Sequence, residues 1–447
     1  MANSQEHWDN VRAQFDVLPY PNQPLDYDPI QQPSLLAKHN YVLAHYRRYQ
    51  AVVSTQGKWI LDAGCGSGVK LLALARANPG AQFVGIDISP KSIDLAQQRF
   101  AYHGLADQVE LHCLPVEAVA SLPHRFDYIN CDDVLYLLAE PAAGLKAMKA
   151  VLNPQGLIRV NMHSAIQRAH FYRVQDFLTR LGYLVGAPTP EEMSITRQTM
   201  ATLAEWVTVK QVTWKAEFAQ NDEQLLMNYL FRGDKGVTMT EFCALLREAE
   251  LAFVSMVNWR EWNLETLFKN VEDLPIAVAL GLAEMSPEEQ IQIYELLHPI
   301  HRLLDLYCGH VVEAEVRSPL ADWASPEWQR AVIHLHPQLK TQGFKAALEA
   351  SPDTLGRIAF DQHLKIEGQG PMAIDSAFAG CLYALLGGPQ TMTALIQRWL
   401  KIHPLHPITL QPTPPPQGFA AVRNFVMALE AAGYVMVELQ PEASLQQ

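Results

Sequence analysis

The stretch Trp59-Ile60-Leu61-Asp62-Ala63-Gly64-Cys65-Gly66-Ser67-Gly68 is followed by an apolar run through Leu74. Then comes Phe83-Val84-Gly85-Ile86-Asp87-Ile88-Ser89. The pattern predicts a buried strand, a glycine turn, a helix and a second strand ending in an acid. Glycine lets a backbone turn sharply and approach a ligand with no Cβ in the way. An acid at the end of the next strand can accept hydrogen bonds from a ribose diol. The stretch is therefore built to hold a nucleoside.

Its details separate one nucleoside cofactor from another. A dinucleotide fingerprint sets G-x-G-x-x-G and a helix N-terminus against a pyrophosphate. Here Gly64, Gly66 and Gly68 alternate, and Asp62 precedes them at the end of the first strand. A negative charge there repels a pyrophosphate and suits a cationic amine or sulfonium. The pattern D-x-G-x-G-x-G followed by Gly85-Ile86-Asp87 resembles the S-adenosylmethionine (SAM) site of class I methyltransferases. The bland alternative is a glycine turn without a ligand. Two matched pieces at the expected separation, in strand–turn–helix context, weigh against it.

Composition bounds the rest. A chain of 447 residues predicts two or three domains, and its hydrophobic content of 49% gives them ample core. The formal net charge of −13 disfavours a nucleic-acid partner, whose phosphates need clustered Lys and Arg. The six cysteines are scattered and never form C-x-x-C, as expected of reduced thiols in a cytosolic protein. Met1 to Glu6 lacks a signal peptide's charged and apolar regions, and no apolar run reaches membrane-spanning length. A cytoplasmic location is the expectation. The histidines His298, His301 and His310, and the pair His334 and His336, lack the Cys or close acids that would complete a ligand set, so no metal is expected.

From Trp59 onward strand and helix patterns alternate, which predicts a parallel sheet with crossover helices. Strands are expected at Val109–Cys113, Phe126–Cys131, Leu157–Asn161, Leu251–Val257 and Val311–Val316. Ser89-Pro90 opens a crossover helix by capping its free N–H groups. In open sheets of this kind the ligand lies at the C-terminal strand ends. That rule gathers Asp62 to Gly66, Asp87, Pro115 to Glu117, Asn130 to Asp133 and His163 around one crevice. Ahead of the sheet, Trp8 to Phe15 reads as a short helix, Leu18 to Pro24 as an extended proline-rich segment, and Leu35 to Tyr49 as a helix. Residues 1–58 are expected to form a lid segment, with Tyr20 as the lid residue. Residues 59–318 then form the nucleoside-binding domain, with helical insertions at about 165–250 and 260–308 that include a helix running on to Leu303. From 319 the pattern changes to short helices and turns, with apolar helices at Ala373–Leu386 and Thr391–Leu400. A last helix leads into Tyr434-Val435-Met436-Val437, which fits a mostly helical accessory domain of winged-helix-like form.

The resemblance extends across residues 57–163. Phe126-Asp127-Tyr128-Ile129 through Val134-Leu135-Tyr136-Leu137-Leu138 is similar to the family segment F-D-x-I-x-x-x-x-V-L-H-H-L. The stretches Leu18–Pro21, Leu225–Phe253 and His310–Val316 resemble a bacterial subgroup carrying a methyltransferase-regulatory or tetratricopeptide extension, some members of which act on protein lysines. The fold implied is α/β, with a Rossmann-like seven-stranded sheet, and the cofactor implied is SAM. Carried over position by position, Asp62, Gly64, Cys65, Gly66 and Gly68 would surround the methionine moiety. Asp87 would bind the ribose hydroxyls and Ile88 would pack on the adenine. Many relatives place G-D-A after the third strand; here it is Leu114-Pro115-Val116-Glu117, so adenine would rest on the backbone of Val116 and on Glu117. Cys131 closes the fourth strand beside the site. Tyr136 stands where relatives often have His, which removes a simple general base.

Methyl transfer from a sulfonium is an in-line displacement that needs alignment, exclusion of water and removal of an acceptor proton. Asp132 and Asp133 follow the fourth strand: one, with Asp132 the candidate, could orient the cofactor amine or the acceptor, while the other simply caps the next helix. His163 could be a base near neutral pH, or a buried structural histidine. Tyr136 could bind the acceptor, or be a core aromatic with a satisfied hydroxyl. Three functions are compatible: a methyltransferase acting on a protein side-chain nitrogen, a small-molecule O-, N- or C-methyltransferase, and a silent SAM-binding scaffold. The extent of helix beyond the sheet favours a large acceptor. The absence of N-P-P-Y after the fourth strand argues against amide-nitrogen enzymes that use that motif. The intact acids and glycines argue against the scaffold.

Overall fold

The computed structural model describes residues 8, 11–12, 16, 20–184, 188–231, 233–311, 319–354, 356–406 and 408–441. Its contacts divide the chain into two compact units. One comprises residues 1–27, 58–71 and 82–311, the other 28–57, 72–81 and 312–447.

The first unit is built on a sheet of β1 (Trp59–Ala63), β2 (Gln82–Asp87), β3 (Val109–Cys113), β4 (Phe126–Cys131), β5 (Leu152–Ser164), β6 (Gly236–Val237), β7 (Leu251–Met256) and β8 (Leu303–His310). The order is β3-β2-β1-β4-β5-β8-β7, and the short β6 pairs with the end of β5. The strands from β3 across to β5 are parallel, and β8 is antiparallel to both β5 and β7. Crossovers between parallel strands carry helices, among them Pro90–Tyr102 and Pro141–Ala150. These helices cover the sheet, so β1 and β4 are buried on both faces and read as apolar runs. The chain leaves β1 toward β2 and β3, then returns to β4 on the other flank of β1. This reversal opens a crevice beyond the carboxyl ends of β1 and β4, and ligands bind at such a point.

The last strand corrects one sequence expectation. The helix expected to run through Leu303 stops at Leu297, and Leu303–His310 is a strand. Pro299 disfavours helical backbone at the residue before it, and His298 sits at φ −145°, ψ 70°. β8 is buried from Leu304 to Gly309, so it shows no alternation that would have separated it from a helix. The strand expected at Val311–Val316 lies, apart from Val311, outside the described residues, as does most of the helix expected at Trp8–Phe15. Helices Ala169–Arg180, Pro190–Thr202, Thr208–Thr213 and Asp222–Tyr229 follow β5 and share a core of Val174, Leu178, Met200, Phe218, Leu225 and Tyr229.

In the second unit the helix expected at Leu35–Tyr49 is two, Pro33–Lys38 and Tyr41–Tyr49. Asn40 separates them: its side chain caps the second helix by accepting from Leu43 N–H (3.2 Å) and donates to Ala77 O (2.8 Å). A small antiparallel sheet has β9 (Ala331–Leu335) between β12 (Gln390–Thr391) and β13 (Val435–Leu439). The helix expected at Ala373–Leu386 begins only at Ala379. Ala373–Asp375 is instead a strand, β11, paired with β10 (Arg357–Ala359). Trp328, Phe344, Leu382, Val422, Leu429 and Tyr434 form this unit's core.

Candidate functional site

The glycine turn follows β1 directly. Gly64, Gly66 and Gly68 have φ of 88°, 51° and 83°, a region that L side chains rarely enter. A Cβ on Gly66 would stand 2.2 Å from the backbone oxygen of Tyr20. The extended segment at 20–25 lies across the turn: Ser67 N–H donates to Tyr20 O (3.2 Å) and Ser67 Oγ–H to Pro21 O (2.6 Å). Buried Arg99 fastens both parts, donating to Ser67 O (3.0 Å), Pro24 O (2.6 Å) and Gln23 O (2.8 Å).

A cleft opens beside the turn. Gly64, Cys65, Gly66 and Asp87 form one wall, Ile88, Leu114 and Val116 an apolar end, Tyr20 and Pro21 the cover, and Lys70, Asp132 and Asp133 the far side. Asp87 accepts from Gly66 N–H (3.0 Å) and Ser89 N–H (2.9 Å), so it braces the turn while facing the cleft. Burial raises its pKa. Asp62 is buried beneath the turn. Its Oδ1 accepts from Asn130 (2.7 Å), and its Oδ2 has no hydrogen-bond partner. A buried carboxylate oxygen without a donor is costly. Burial accordingly lifts the Asp62 pKa to about 7, against the lowering effect of Asn130.

The end of β4 carries a charged network that no short motif announces. Lys70 Nζ lies 3.0 Å from Asp132 Oδ2 and 2.9 Å from Asp133 Oδ2. Burial alone would lower the Lys70 pKa, but these two carboxylates raise it. Asp132 also accepts from Asn161 (2.5 Å) and lies 3.6 Å from Arg159, which makes a two-pronged contact with Asp305 at 3.0 and 2.7 Å. Asp133 holds a left-handed φ of 63°, a conformation fixed by its N–H on Asn161 Oδ1 (2.9 Å) and by Lys70. Burial acts to raise its pKa, and Lys70 brings it below the usual carboxylate value. Arg302 approaches Asp133 (3.7 Å) and donates to His163 Nε2 (2.7 Å). Because Arg302 can only donate, His163 is the neutral tautomer with its proton on Nδ1, donated to Asp234 (2.5 Å). Burial lowers the His163 pKa to match. Tyr136 stacks on His163 at 4.1 Å, and its hydroxyl reaches Asp133 at 3.5 Å.

Of the residues the sequence singled out, Tyr20, Gly64, Cys65, Gly66, Asp87, Ile88, Val116 and Asp132 meet on the cleft wall. Asp62 and Gly68 shape the turn from beneath, and Gly68 packs on Ala96, where a Cβ would come to 3.0 Å. Cys131 is fully buried at the end of β4 and Glu117 is half-buried; neither lines the cleft. Tyr136 and His163 are buried, and the His163 lone pair is taken by Arg302, so they support the wall rather than face the cleft. Sequence reading placed Asp133 at the crevice with Asp132, and missed Lys70, Arg99 and Arg302. Lys70 sits within the first turn of the helix after Gly68, which was the available signal. Among the described residues there is no group of three or more His, Cys, Asp or Glu placed to hold a metal, and no helix long and apolar enough to cross a membrane.

The cleft fits SAM on two counts, a glycine wall with no Cβ and an acid and apolar end suited to a nucleoside, and beneath its turn lies the orphaned Asp62 Oδ2, a carboxylate oxygen suited to a cation. If Asp62 holds the cofactor's cationic part, binding is pH-dependent. Its neighbours are Asn130 and Asp132 from β4 and the turn after it, Lys70 from the helix, and Arg159 from β5. In the free protein the raised pKa favours the protonated acid. The stability this gives is complete below the usual carboxylate range and is lost as pH rises through about 7. A cationic cofactor prefers the ionised form. SAM affinity measured by calorimetry should therefore rise about eightfold from pH 6 to 7.5. Asp62→Asn should flatten the profile; an unchanged slope in that variant would remove Asp62 from the site.

A family model described as a methyltransferase domain matches residues 54–223. An uncharacterized protein of Synechococcus sp. is 26% identical over 332 residues, covering 73% of this chain and 76% of that one. A ubiquinone biosynthesis O-methyltransferase of Neisseria meningitidis is 37% identical over 105 residues, 23% of this chain. The chain spans 43% of that enzyme's length, less than half. PKMT2 from Rickettsia typhi, solved in complex with AdoHcy, shares the fold with a TM-score of 0.59 at 15% identity, over 90% of this chain and 76% of that one.

Proposed function

We propose that this S-adenosylmethionine-dependent methyltransferase acts on a side-chain nitrogen of a protein. The observation that carries the reading is the pair Asp132 and Asp133 on the cleft wall, each already within 3.0 Å of an ammonium, that of Lys70. An amine acceptor arrives as an ammonium at neutral pH. Carboxylates attract it and orient it. When bound, SAM supplies a methyl group on a sulfonium and leaves as AdoHcy. The chain's residues would hold, orient and shield. Asp87 would take the ribose hydroxyls, Ile88, Leu114 and Val116 the adenine, and Asp62 the cationic part. Tyr20, held over the turn by Ser67 N–H, would keep water out. Asp133 would receive the acceptor, with Lys70 and Arg302 setting its position. Tyr136 and His163 are positioning residues behind Arg302.

A second reading, small-molecule O-methylation, is favoured by the name of the Neisseria relative, over the 43% of it that matches. Methyl-tritiated SAM added with the protein to a native lysate, then split by size, separates the two. The expected result is label in protein. Label confined to small molecules would overturn the protein-acceptor reading.

A further inference from the structure

We infer that the helix Ile276–Glu284 is a docking ridge for a partner protein that presents an apolar surface rimmed by lysine and arginine. The inference rests on the reading above only for naming that partner as the methyl acceptor. The helix reads Ile-Ala-Val-Ala-Leu-Gly-Leu-Ala-Glu, and none of its residues is buried. Ile276 is 79% exposed and Leu280 59%. The next helix, Pro287–Leu297, adds Leu297 at 59% exposure, and Ile300 beyond it stands at 53%. Leu282 packs against the core and anchors the helix, which leaves Ile276 and Leu280 facing outward, and exposed apolar surface of this kind marks an interaction site.

The surrounding charge selects the occupant. Between Leu264 and Ile300 there are seven acids and one lysine. Glu272 and Asp273 flank the ridge at its start and Glu284 at its end, all exposed. An anionic membrane surface is recognised by Lys and Arg around an apolar face, the reverse of this arrangement. A second copy would set acid against acid. A basic protein with an apolar centre matches both the ridge and its rim, and it is the kind of partner a chain of net charge −13 attracts.

The test uses the full chain and a synthetic amphipathic peptide with leucines on one helical face and lysines on the other. Hydrogen exchange of residues 276–284 and fluorescence anisotropy of the labelled peptide are followed. The expected result is slowed exchange on the ridge, with affinity falling at least about tenfold in the double variant Ile276→Asp, Leu280→Asp, and falling in high salt. Both positions are exposed, so the variant should fold, and its calorimetric SAM affinity should match that of the wild type. Equal peptide binding by wild type and variant overturns the ridge. So does a wild-type dimer in the ultracentrifuge that the variant dissociates, or sedimentation with phosphatidylglycerol vesicles that the variant loses. The tritium experiment, run with both proteins, separates the two claims. Equal labelling of lysate proteins by wild type and variant overturns the naming of the ridge's partner as the methyl acceptor and leaves the peptide result to decide the ridge. Label only in small molecules overturns the acceptor reading and leaves the peptide result to decide the ridge.

Discussion

Gly66→Val should abolish practical SAM binding, with an affinity loss of over about a hundredfold, or roughly 3 kcal/mol. Two costs add. The backbone at Gly66 has φ 51°, which strains any β-branched residue. The new Cβ would also stand 2.2 Å from the Tyr20 backbone oxygen, far inside contact distance. The cover cannot simply withdraw. Ser67 holds Tyr20 and Pro21, and Arg99 holds Gln23, Pro24 and Ser67 itself. Relief must come from the turn, which would lose its Gly66 N–H to Asp87 contact and with it the cleft wall. Gly104→Ala is the control. It has φ 67° with nothing within 4 Å of the added Cβ, so it carries strain without a clash. Calorimetry should show Gly104→Ala binding SAM as the wild type does, and Gly66→Val not binding. Wild-type affinity in Gly66→Val would refute this account of the turn.

Arg159→Ala should be the most destabilising single change near the site, by about 3–5 kcal/mol in urea unfolding. Arg159 is fully buried on β5. It pairs with Asp305 on β8, approaches Asp132 and donates to Asn130 (3.3 Å). Burial would lower its pKa, but Asp305 keeps it charged well above the usual arginine value. Removing it takes the guanidinium from the buried Asp305 carboxylate, and breaking a buried ion pair by deleting one partner costs far more than the pair contributes. Asp305→Leu with Arg159→Met should recover most of the loss, because a well-packed apolar pair needs no compensation. An Arg159→Ala midpoint equal to wild type would show that the network does not bear on stability.

The sequence revealed what depends on local demand. The turn after β1 needs glycine at positions with positive φ and an acid at the end of β2, and both demands are written within thirty residues. The topological switch places the β4 end at the crevice, so Asp132 was legible from its position alone. What stayed hidden depends on distant partners. Lys70 meets Asp132 and Asp133 only because the helix after the turn lies beside the β4 end. Arg302 reaches His163 across the β5–β8 pairing, which was itself illegible while β8 read as helix. Arg99 looks like an ordinary helix arginine until its three backbone acceptors are known. His163 invited a reading as a base because histidine titrates near neutrality; burial and the Arg302 contact hold it neutral instead.

The central claim is that the cleft beyond β1 and β4 holds SAM, with Asp87 on its ribose. Calorimetric titration of SAM into the wild type and Asp87→Ala tests it most directly. The account predicts binding to the wild type and a loss of about 1.5–3 kcal/mol in the variant, for hydrogen bonds to a charged group. No heat of binding with the wild type, or equal affinity in the two proteins, would contradict it.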